Sequence, residues 1–335
     1  MDVLSDVLRS VKMTGAFFFD VTNHAPWACG EPGETDILGR ILPQHDMLMP
    51  FHVILFGSAI LEMDGPRPVT LPLEAGDVVV IPSGAPHFMM STPGMRALVD
   101  HAAYDPPIGP RQINRYAVNA DNGTPVHSRV ICGYMGIDRR PASPLWKALP
   151  PVFRVRAAPH HRDRLLQLSA LGVAESEEYR TGADAMLAKL AELMFVEAVR
   201  QLIDDPAQQA GGLVAGLRDR HVGAALQVLH ARPTDDWTLD ALAQQVGLSR
   251  SVLAARFTEL VGMPAMQYLA RWRLILAAKR LEEPGVSVAE AAMEVGYQSD
   301  AAFQKAFKRH VGVTPSAWRK RTMASKAETA VAVPA

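Results

Sequence analysis

The feature that most restricts the fold is a pattern that occurs twice in the C-terminal third of the chain. Each copy has, in order, a small apolar residue, a Val-Gly pair, a serine and a phenylalanine: Ala243, Val246-Gly247, Ser249 and Phe257, then Ala292, Val295-Gly296, Ser299 and Phe307. The two glycines are 49 residues apart, and each phenylalanine follows its serine by eight residues. Glycine adopts the left-handed conformation that ends a helix, and serine caps the next helix. Each copy therefore predicts a short helix, a tight turn and a second helix.

Two helices joined by such a turn form a helix-turn-helix, whose second helix can enter the major groove of DNA. Between the copies, residues 265–281 contain neither proline nor glycine and predict a connecting helix about 25 Å long. That helix would let both second helices reach adjacent major-groove segments, which recur every ~34 Å. A single helix-glycine-helix corner is common in ordinary bundles, so the matched repetition is what favours DNA binding.

Charge is divided between the two parts of the chain. Residues 1–211 carry 24 Asp and Glu against 18 Lys and Arg, whereas residues 212–335 carry 11 against 16. The helix-breaking segment at 204–212 separates them and predicts a linker. A basic segment joined to an acidic one favours a nucleic-acid-binding part attached to a part with another task.

Residues 219–321 resemble the C-terminal domain of the AraC/XylS family of bacterial transcription regulators. The matching residues include Trp237, Leu242-Ala243, Ser249-Arg250-Ser251, Arg256-Phe257, Gly262, Pro264, Tyr268, Trp272-Arg273, Val295-Gly296-Tyr297, Ser299, Phe303, Phe307-Lys308, Gly312, Pro315 and Arg319. The resemblance implies an all-α DNA-binding domain of seven helices with two helix-turn-helix units over 213–322. The small, polar segment 323–335 predicts a flexible tail.

Groove contacts are expected from solvent-facing positions early in each second helix. These positions are Arg250, Ser251, Ala254 and Ala255 in the first unit, and Asp300, Ala301, Gln304 and Lys305 in the second. Lysine and arginine can read guanine, glutamine can read adenine, and alanine can contact a thymine methyl. Candidate phosphate contacts are Arg250, Arg256, Arg271, Arg273, Lys308 and Arg309. For each basic residue taken singly, a merely solvated position is the alternative.

Residues 50–90 alternate short apolar runs with turns and predict antiparallel β-structure. The spacing Gly76-x5-Pro82-x-Gly84-x2-His87 resembles the second signature of the cupin β-barrel, in which that histidine binds metal. The first signature matches poorly: His45 falls near a ligand position, Pro50 replaces the glutamate, and His52 lies two residues further on.

Two interpretations of these histidines remain open. His45, His52 and His87 would together suit zinc or iron. The same three residues would equally suit contacts to a small effector, and without the carboxylate we expect no cofactor. A metal-dependent cupin enzyme with a helical appendage is the alternative function.

Together, these observations predict an α+β protein. We expect a cupin-like antiparallel barrel over 1–160, a helical linker and possible dimerisation region over 161–212, and then the DNA-binding domain. The resemblance implies a ligand-responsive regulator, not an enzyme, with promoter DNA, a small-molecule effector, RNA polymerase and a second copy of the chain as partners. Whether the protein activates or represses transcription stays open.

The cellular setting is inferred from what the chain lacks. No stretch approaches the ~18 apolar residues of a membrane span, which predicts a cytoplasmic protein. Cys29 and Cys132 are the two cysteines and cannot build a disulfide framework, which suits a reducing compartment. Redox sensing by either thiol is a hypothesis, and an inert apolar role is its alternative.

Overall fold

The computed structural model describes residues 2–43, 45–104, 114–138, 143–156, 159–178, 180–208 and 210–331. The chain divides into two compact units. The cupin-like unit comprises Lys12–Arg139 and Leu149–Gln209, and the helical unit comprises Met1–Val11, Arg140–Ala148 and Ala210–Ala335. The predicted α+β class is confirmed. No helix in the described part of the chain is long and apolar enough to span a bilayer.

The described part of the cupin-like unit is built on nine strands. They are β1 (Lys12–His24), β2 (Ala28–Glu31), β3 (Met47–Met63), β4 (Val69–Glu74), β5 (Val78–Val80), β6 (His87–Met90), β7 (Asn114–Val118), β8 (Val126–Asp138) and β9 (Phe153–Val155). Six of them follow the order β2-β6-β3-β8-β1-β7, with β4 and β5 also on β3 and β9 on β5. All pairs are antiparallel except the parallel pair β1 and β7.

The long strand β3 makes the sheet curl. Its first half pairs with β5 and β8, and its second half pairs with β4 and β6. The ladder to β8 shifts register between Ile54 and Phe56, next to Gly57, whose φ is +72°. A Cβ at Gly57 would lie 1.9 Å from the His127 carbonyl oxygen, so only glycine fits at this bend.

Three α-helices complete the cupin-like unit within the described residues: α2 (Glu34–Ile41), α4 (Pro159–Glu178) and α5 (Ala183–Asp204). Helix α5 lies within the segment 161–212 that was predicted to be helical, and it packs on α4, β1 and β9. Its buried face includes Leu187, Phe195 and Leu202, because apolar residues recur there at helical spacing. This arrangement corresponds to a helix that covers the sheet.

The helical unit contains ten helices in its described part. They are α1 (Val3–Ser10), α3 (Pro144–Ala148), α6 (Gly212–Arg218), α7 (Arg220–Ala231), α8 (Leu239–Gln245), α9 (Arg250–Val261), α10 (Ala265–Arg280), α11 (Val288–Glu294), α12 (Asp300–Val311) and α13 (Pro315–Val331). One core cluster joins α10, α11, α12 and α13 around Phe303, Phe307 and Trp318. Another set of fully buried residues, including Leu226, Leu253 and Phe257, lies on α7 and α9.

Three features differ from the expected organisation. Helices α1 and α3 lie in the helical unit, although 1–160 was expected to form one sensor domain. Helix α6 adds an eighth helix, within 212–331, to the seven expected there. Helix α13 continues through Val331, where a flexible tail was expected, because the alanine-rich segment has high helix propensity. Residues 332–335 lie outside the described residues.

Candidate nucleic-acid interface and sensor cavity

The two repeated turns have the same backbone geometry. In the first, Gly247 has a φ of +70°, and the Leu248 N–H donates to the Ala243 carbonyl oxygen at 2.9 Å. In the second, Gly296 has a φ of +83°, and the Tyr297 N–H donates to the Ala292 carbonyl oxygen at 3.0 Å. This bond across a left-handed glycine is a Schellman helix stop. Both copies therefore end their first helix by the same device.

The second helix of each unit begins at the predicted serine. Ser249 accepts a hydrogen bond from the Val252 N–H, and Ser299 accepts one from the Ala302 N–H, each at 3.4 Å. Phe257 and Phe307 are completely buried on the inner faces of α9 and α12. Their burial sets the rotation of each helix and leaves its opposite face to solvent.

The DNA-contacting residues predicted on α9 and α12 occupy that outer face. They are exposed except Ala254, which is half-buried: Arg250, Ser251, Ala255, Arg256, Asp300, Ala301, Gln304, Lys305, Lys308 and Arg309. The other two phosphate candidates, Arg271 and Arg273, lie on α10 and are half-buried. Two have weak surface partners, since Arg250 pairs with Asp240 at 3.1 Å and the Gln304 amide donates to Asp300 at 2.9 Å. Exposed contacts of this kind contribute little stability and can be exchanged for contacts to DNA.

Arg256 differs from the other basic candidates. Its guanidinium donates two hydrogen bonds to Asp219, at 2.8 and 2.5 Å, and Asp219 is the N-cap of α7. Burial raises the pKa of Asp219, but hydrogen bonds from the Val222 N–H and from Arg256 outweigh it and hold the pKa below the ordinary value. The structure thus gives Arg256 an internal role between α9 and α7.

Arg273, a second phosphate candidate, also has internal partners. Its guanidinium donates to the carbonyl oxygens of Pro233 and Asp235, at 2.6 and 2.8 Å. The loop before α8 is thereby held against α10. Neither arginine could be assigned from sequence, because the partners lie 37 to 40 residues away along the chain.

In the cupin-like unit, two of the three predicted histidines meet. His52 on β3 and His87 on β6 are completely buried, and their Nε2 atoms are 2.7 Å apart. Burial lowers the pKa of each imidazole, because a charged ring would lose its hydration. Both rings are therefore neutral at pH 7.

His45 lies elsewhere in the same unit. Its ring covers Gly136 on β8, where an added Cβ would lie 2.6 Å from it. Cys132 is the residue opposite His52, and Gly136 lies four residues further along β8. The position covered by His45 is therefore about 13 Å along the strand from the position opposite His52. The structure does not bring His45 to the other two histidines.

Two further buried groups lie beside the histidine pair, and the sequence analysis placed neither of them with the histidines. Glu31 on β2 and Cys132 on β8 each place a ligand-type atom within 4.8 Å of the other and of a nitrogen of His52. The Glu31 carboxylate accepts hydrogen bonds from Tyr104, at 2.5 Å, and from Tyr134. The sequence offered Glu31 as a carboxylate in a short segment suited to a strand. That this strand pairs next to His87 depends on strand register, which the sequence does not give.

A cavity of about 230 Å³ adjoins this cluster. Its walls are mostly apolar and aromatic, and they include Phe19, Tyr104, Tyr116, Cys29, Glu31 and Cys132. Burial, followed by the charge of Glu31, raises the pKa of Cys29 to about 12, and burial also raises that of Cys132. Both side chains are therefore neutral thiols, which react slowly with oxidants and alkylating agents.

A cupin-like unit with a cavity, joined to two helix-turn-helix units, defines a class of protein: a DNA-binding regulator with a sensor unit. Comparison with known proteins agrees. A family model described as Cupin matches residues 2–204, and one described as Helix-turn-helix domain matches residues 242–321.

Two relatives match almost the whole chain. A putative AraC-like transcription regulator of Streptomyces lividans is 30% identical over 322 residues, which cover 96% of this chain and 98% of the relative. The HTH-type transcriptional regulator AlkR of Acinetobacter baylyi is 28% identical over 328 residues, covering 96% and 100%. A solved structure, the DNA-binding domain of AdpA in complex with a target DNA, is 26% identical; it covers 32% of this chain and 96% of that chain, with a TM-score of 0.30.

The chain belongs to the AraC family of transcription regulators and carries an N-terminal cupin domain. It is a DNA-binding transcription regulator, as the repeated motif predicted.

Proposed function

We propose that this regulator reads a promoter through α9 and α12, with most base recognition coming from α12. Gln304 and Lys305 are exposed on α12 and can donate hydrogen bonds to base edges. The corresponding surface of α9 offers Arg250, which pairs with Asp240, and three small residues, Ser251, Ala254 and Ala255, which can make only small or apolar contacts. Lys308 and Arg309 lie further along α12 and suit phosphate contacts. The observation that carries the proposal is the matched pair of Schellman turns that positions both helices.

The cupin-like unit acts as a sensor in this proposal, and not as an enzyme. Its cavity has apolar walls with a few polar groups, an arrangement typical of small-molecule sites. A small effector in that cavity, close to His52 and His87, would alter DNA binding by favouring one arrangement of the protein. The family membership supports this function over that of a metal-dependent cupin enzyme.

A homodimer is part of the same proposal. Met186 and Leu193 on α5 are each 52% exposed although they are large and apolar. They are seven residues apart and therefore share one face of the helix. Burial of that face against a second copy would remove it from water.

The test is DNA selection by the full-length protein from fragments of its own genome, followed by affinity measurements on the selected duplex. The double variant Gln304→Ala plus Lys305→Ala should bind that duplex at least about tenfold more weakly, since one good base contact contributes about 1–3 kcal/mol. The matched control is Gln227→Ala plus Lys279→Ala, which removes the same two side-chain types from exposed positions outside both recognition helices.

The control should leave sequence preference unchanged. Equal losses in both double variants would show that α12 does not read bases. Failure to enrich any sequence at low salt would contradict the proposed promoter recognition.

A further inference from the structure

Four consecutive strands place one side chain each at a single point inside the cupin-like unit. The strands are β2, β6, β3 and β8, in that order across the sheet. Glu31 on β2 lies directly opposite His87 on β6, and His52 on β3 lies directly opposite Cys132 on β8. Directly opposed residues project from the same face of a sheet, about 5 Å apart at their Cβ atoms. The ladders thus give two pairs of side chains, and the curl of β3 brings the pairs together, since the two histidines are in contact at 2.7 Å.

All four side chains are buried. Glu31 is 8% exposed, Cys132 is 5% exposed, and neither histidine has any exposed surface. A nitrogen of His52, the sulfur of Cys132 and a carboxylate oxygen of Glu31 lie within 4.8 Å of one another. His87 joins this group through the 2.7 Å contact between the two Nε2 atoms.

The hydrogen bonds fix the protonation of the histidine pair. His87 Nδ1 is 3.0 Å from the carbonyl oxygen of Ala85, an acceptor, so Nδ1 carries the proton and Nε2 has a lone pair. The His52 Nε2–H then donates to His87, which leaves a lone pair on His52 Nδ1. No donor among the described residues reaches that buried atom. A metal-binding histidine has the same arrangement as His87, with its second nitrogen donating to a backbone carbonyl.

Glu31 is a buried carboxylate that forms no ion pair with a lysine or arginine of the described residues. Two tyrosine hydroxyls hold one of its oxygens, yet within the described chain no lysine or arginine forms an ion pair with it. A buried charge is costly unless an opposite charge or a metal compensates it. Within the part of the chain that the structure describes, the site has an acidic oxygen, imidazole nitrogens and sulfur but no lysine or arginine.

We propose that Glu31, His52, His87 and Cys132 bind one zinc ion inside the cupin-like unit. Zinc accepts this mixture of oxygen, nitrogen and sulfur ligands in tetrahedral geometry, at about 2.0–2.3 Å. Ligand atoms in such a site are roughly 3.3–3.7 Å apart, and those of Glu31, His52 and Cys132 already lie within 4.8 Å of one another. Zinc binding would move the His52 proton from Nε2 to the open Nδ1, so that both Nε2 atoms can face the ion, and would release the thiol proton of Cys132 to solvent. Glu31 and Cys132 lie outside both cupin signatures, and His45 is not part of the site.

The proposed ion has an entry path and a structural consequence. Glu31 and Cys132 also line the cavity, which gives the ion access. Once bound, the ion would link four adjacent strands next to the space proposed for the effector. This inference does not depend on which DNA the protein recognises, since its readouts are metal content and metal spectra.

The experiment begins with full-length protein purified without chelators from zinc-supplemented cells. We expect about one zinc per chain by elemental analysis. After the zinc is removed, titration with cobalt should produce the near-ultraviolet absorption of a cobalt–thiolate bond. Cys132→Ser should lose that absorption, and Glu31→Gln should weaken metal retention. Cys29→Ser removes the other cysteine at the same cavity and is the matched control, which should keep both signals.

Wild-type protein that holds less than about a tenth of an equivalent of zinc and gives no cobalt–thiolate absorption would overturn the proposal. Retention of the cobalt–thiolate signal in Cys132→Ser, with loss in Cys29→Ser, would also overturn it. The wild-type measurements stand even if a variant fails to fold, because they need no substitution. DNA selection reports separately on promoter recognition.

Discussion

Arg256 shows why an exposed arginine on a recognition helix need not bind DNA. Its side chain is 48% exposed, which from the sequence alone suits a phosphate contact, but both of its hydrogen bonds end on the N-cap of α7. Lys308 and Arg309, in contrast, have no acidic partner within the described chain, although the Arg309 guanidinium contacts His310. The exposed basic residues of the two recognition helices therefore include one structural contact, Arg256, and two residues without an acidic partner among the described residues, Lys308 and Arg309.

The first prediction concerns this arginine. Arg256→Ala should lower the free energy of unfolding by about 1 kcal/mol at pH 7, because a partly exposed charged contact contributes modestly. The folded state lowers the pKa of Asp219, so this contribution is present at neutral pH and is lost as pH falls through that lowered pKa. Urea denaturation at pH 7 and at acidic pH measures both effects.

Lys308→Ala provides the contrast for Arg256→Ala. It should leave stability nearly unchanged and reduce the salt dependence of DNA affinity by about one counterion, since each phosphate contact contributes a slope of about 0.9. If Arg256→Ala instead reduced the salt slope as much and left stability intact, its role would be phosphate binding.

At the scale of elements, the two helix-turn-helix units use the same turn in different surroundings. A Cβ on Gly247 would meet no atom within 4 Å, whereas a Cβ on Gly296 would lie 3.2 Å from the Thr234 carbonyl oxygen and close to Arg273. Both glycines have positive φ. The first turn is thus constrained by its backbone alone, and the second also by its neighbours.

The second prediction follows from this difference. Gly247→Ala should destabilise the protein by about 1 kcal/mol, the cost of a left-handed alanine. Gly296→Ala should cost more, about 2–3 kcal/mol, because the added methyl group also crowds the Thr234 carbonyl. Urea unfolding of the two single variants gives the comparison, and equal losses would rule out the steric contribution.

At the scale of the molecule, the helical unit draws on both ends of the chain. Helix α1 packs on α7 and α10, and Val3 and Val7 are almost completely buried. Asp2 caps α1 by accepting the Leu4 N–H at 3.1 Å, which starts the helix near the N-terminus. A contiguous domain boundary cannot describe this unit.

The third prediction tests the contribution of α1. Val7→Ala should destabilise the helical unit by about 1–3 kcal/mol, since it removes buried methyl groups and leaves a small cavity. Amide hydrogen exchange should become faster in α7 and α10 and stay unchanged in β3 and β8. The control, Val130→Ala, changes an equally buried valine on β8 and should have the opposite distribution.

An unchanged exchange rate in α7 and α10 of Val7→Ala would show that α1 does not support the helical unit. A uniform acceleration across the chain would mean that the two units unfold together, and would leave no separate effect of α1.

Sequence reasoning succeeded where structure is determined by neighbouring residues. The glycine stops, the serine caps and the inner phenylalanines all lie within about 15 residues of one another, and helical periodicity converts their spacing directly into geometry. The family membership and the DNA-binding function could be predicted for that reason. The β-structure of residues 50–90 was predictable on the same grounds, from alternation and turns.

The sequence by itself thus determined both helix-turn-helix units, the outward face of α12 and the presence of a cupin-like sheet. Only the tertiary structure decided that Arg256 pairs with Asp219, that α1 joins the helical unit, and that His45 is separated from His52. It also decided that Glu31 and Cys132, 101 residues apart in the chain, lie beside the histidine pair. For the side chains in the sheet, the physical reason is that pairing between distant strands depends on register. A shift of one residue would turn each of these side chains to the opposite face.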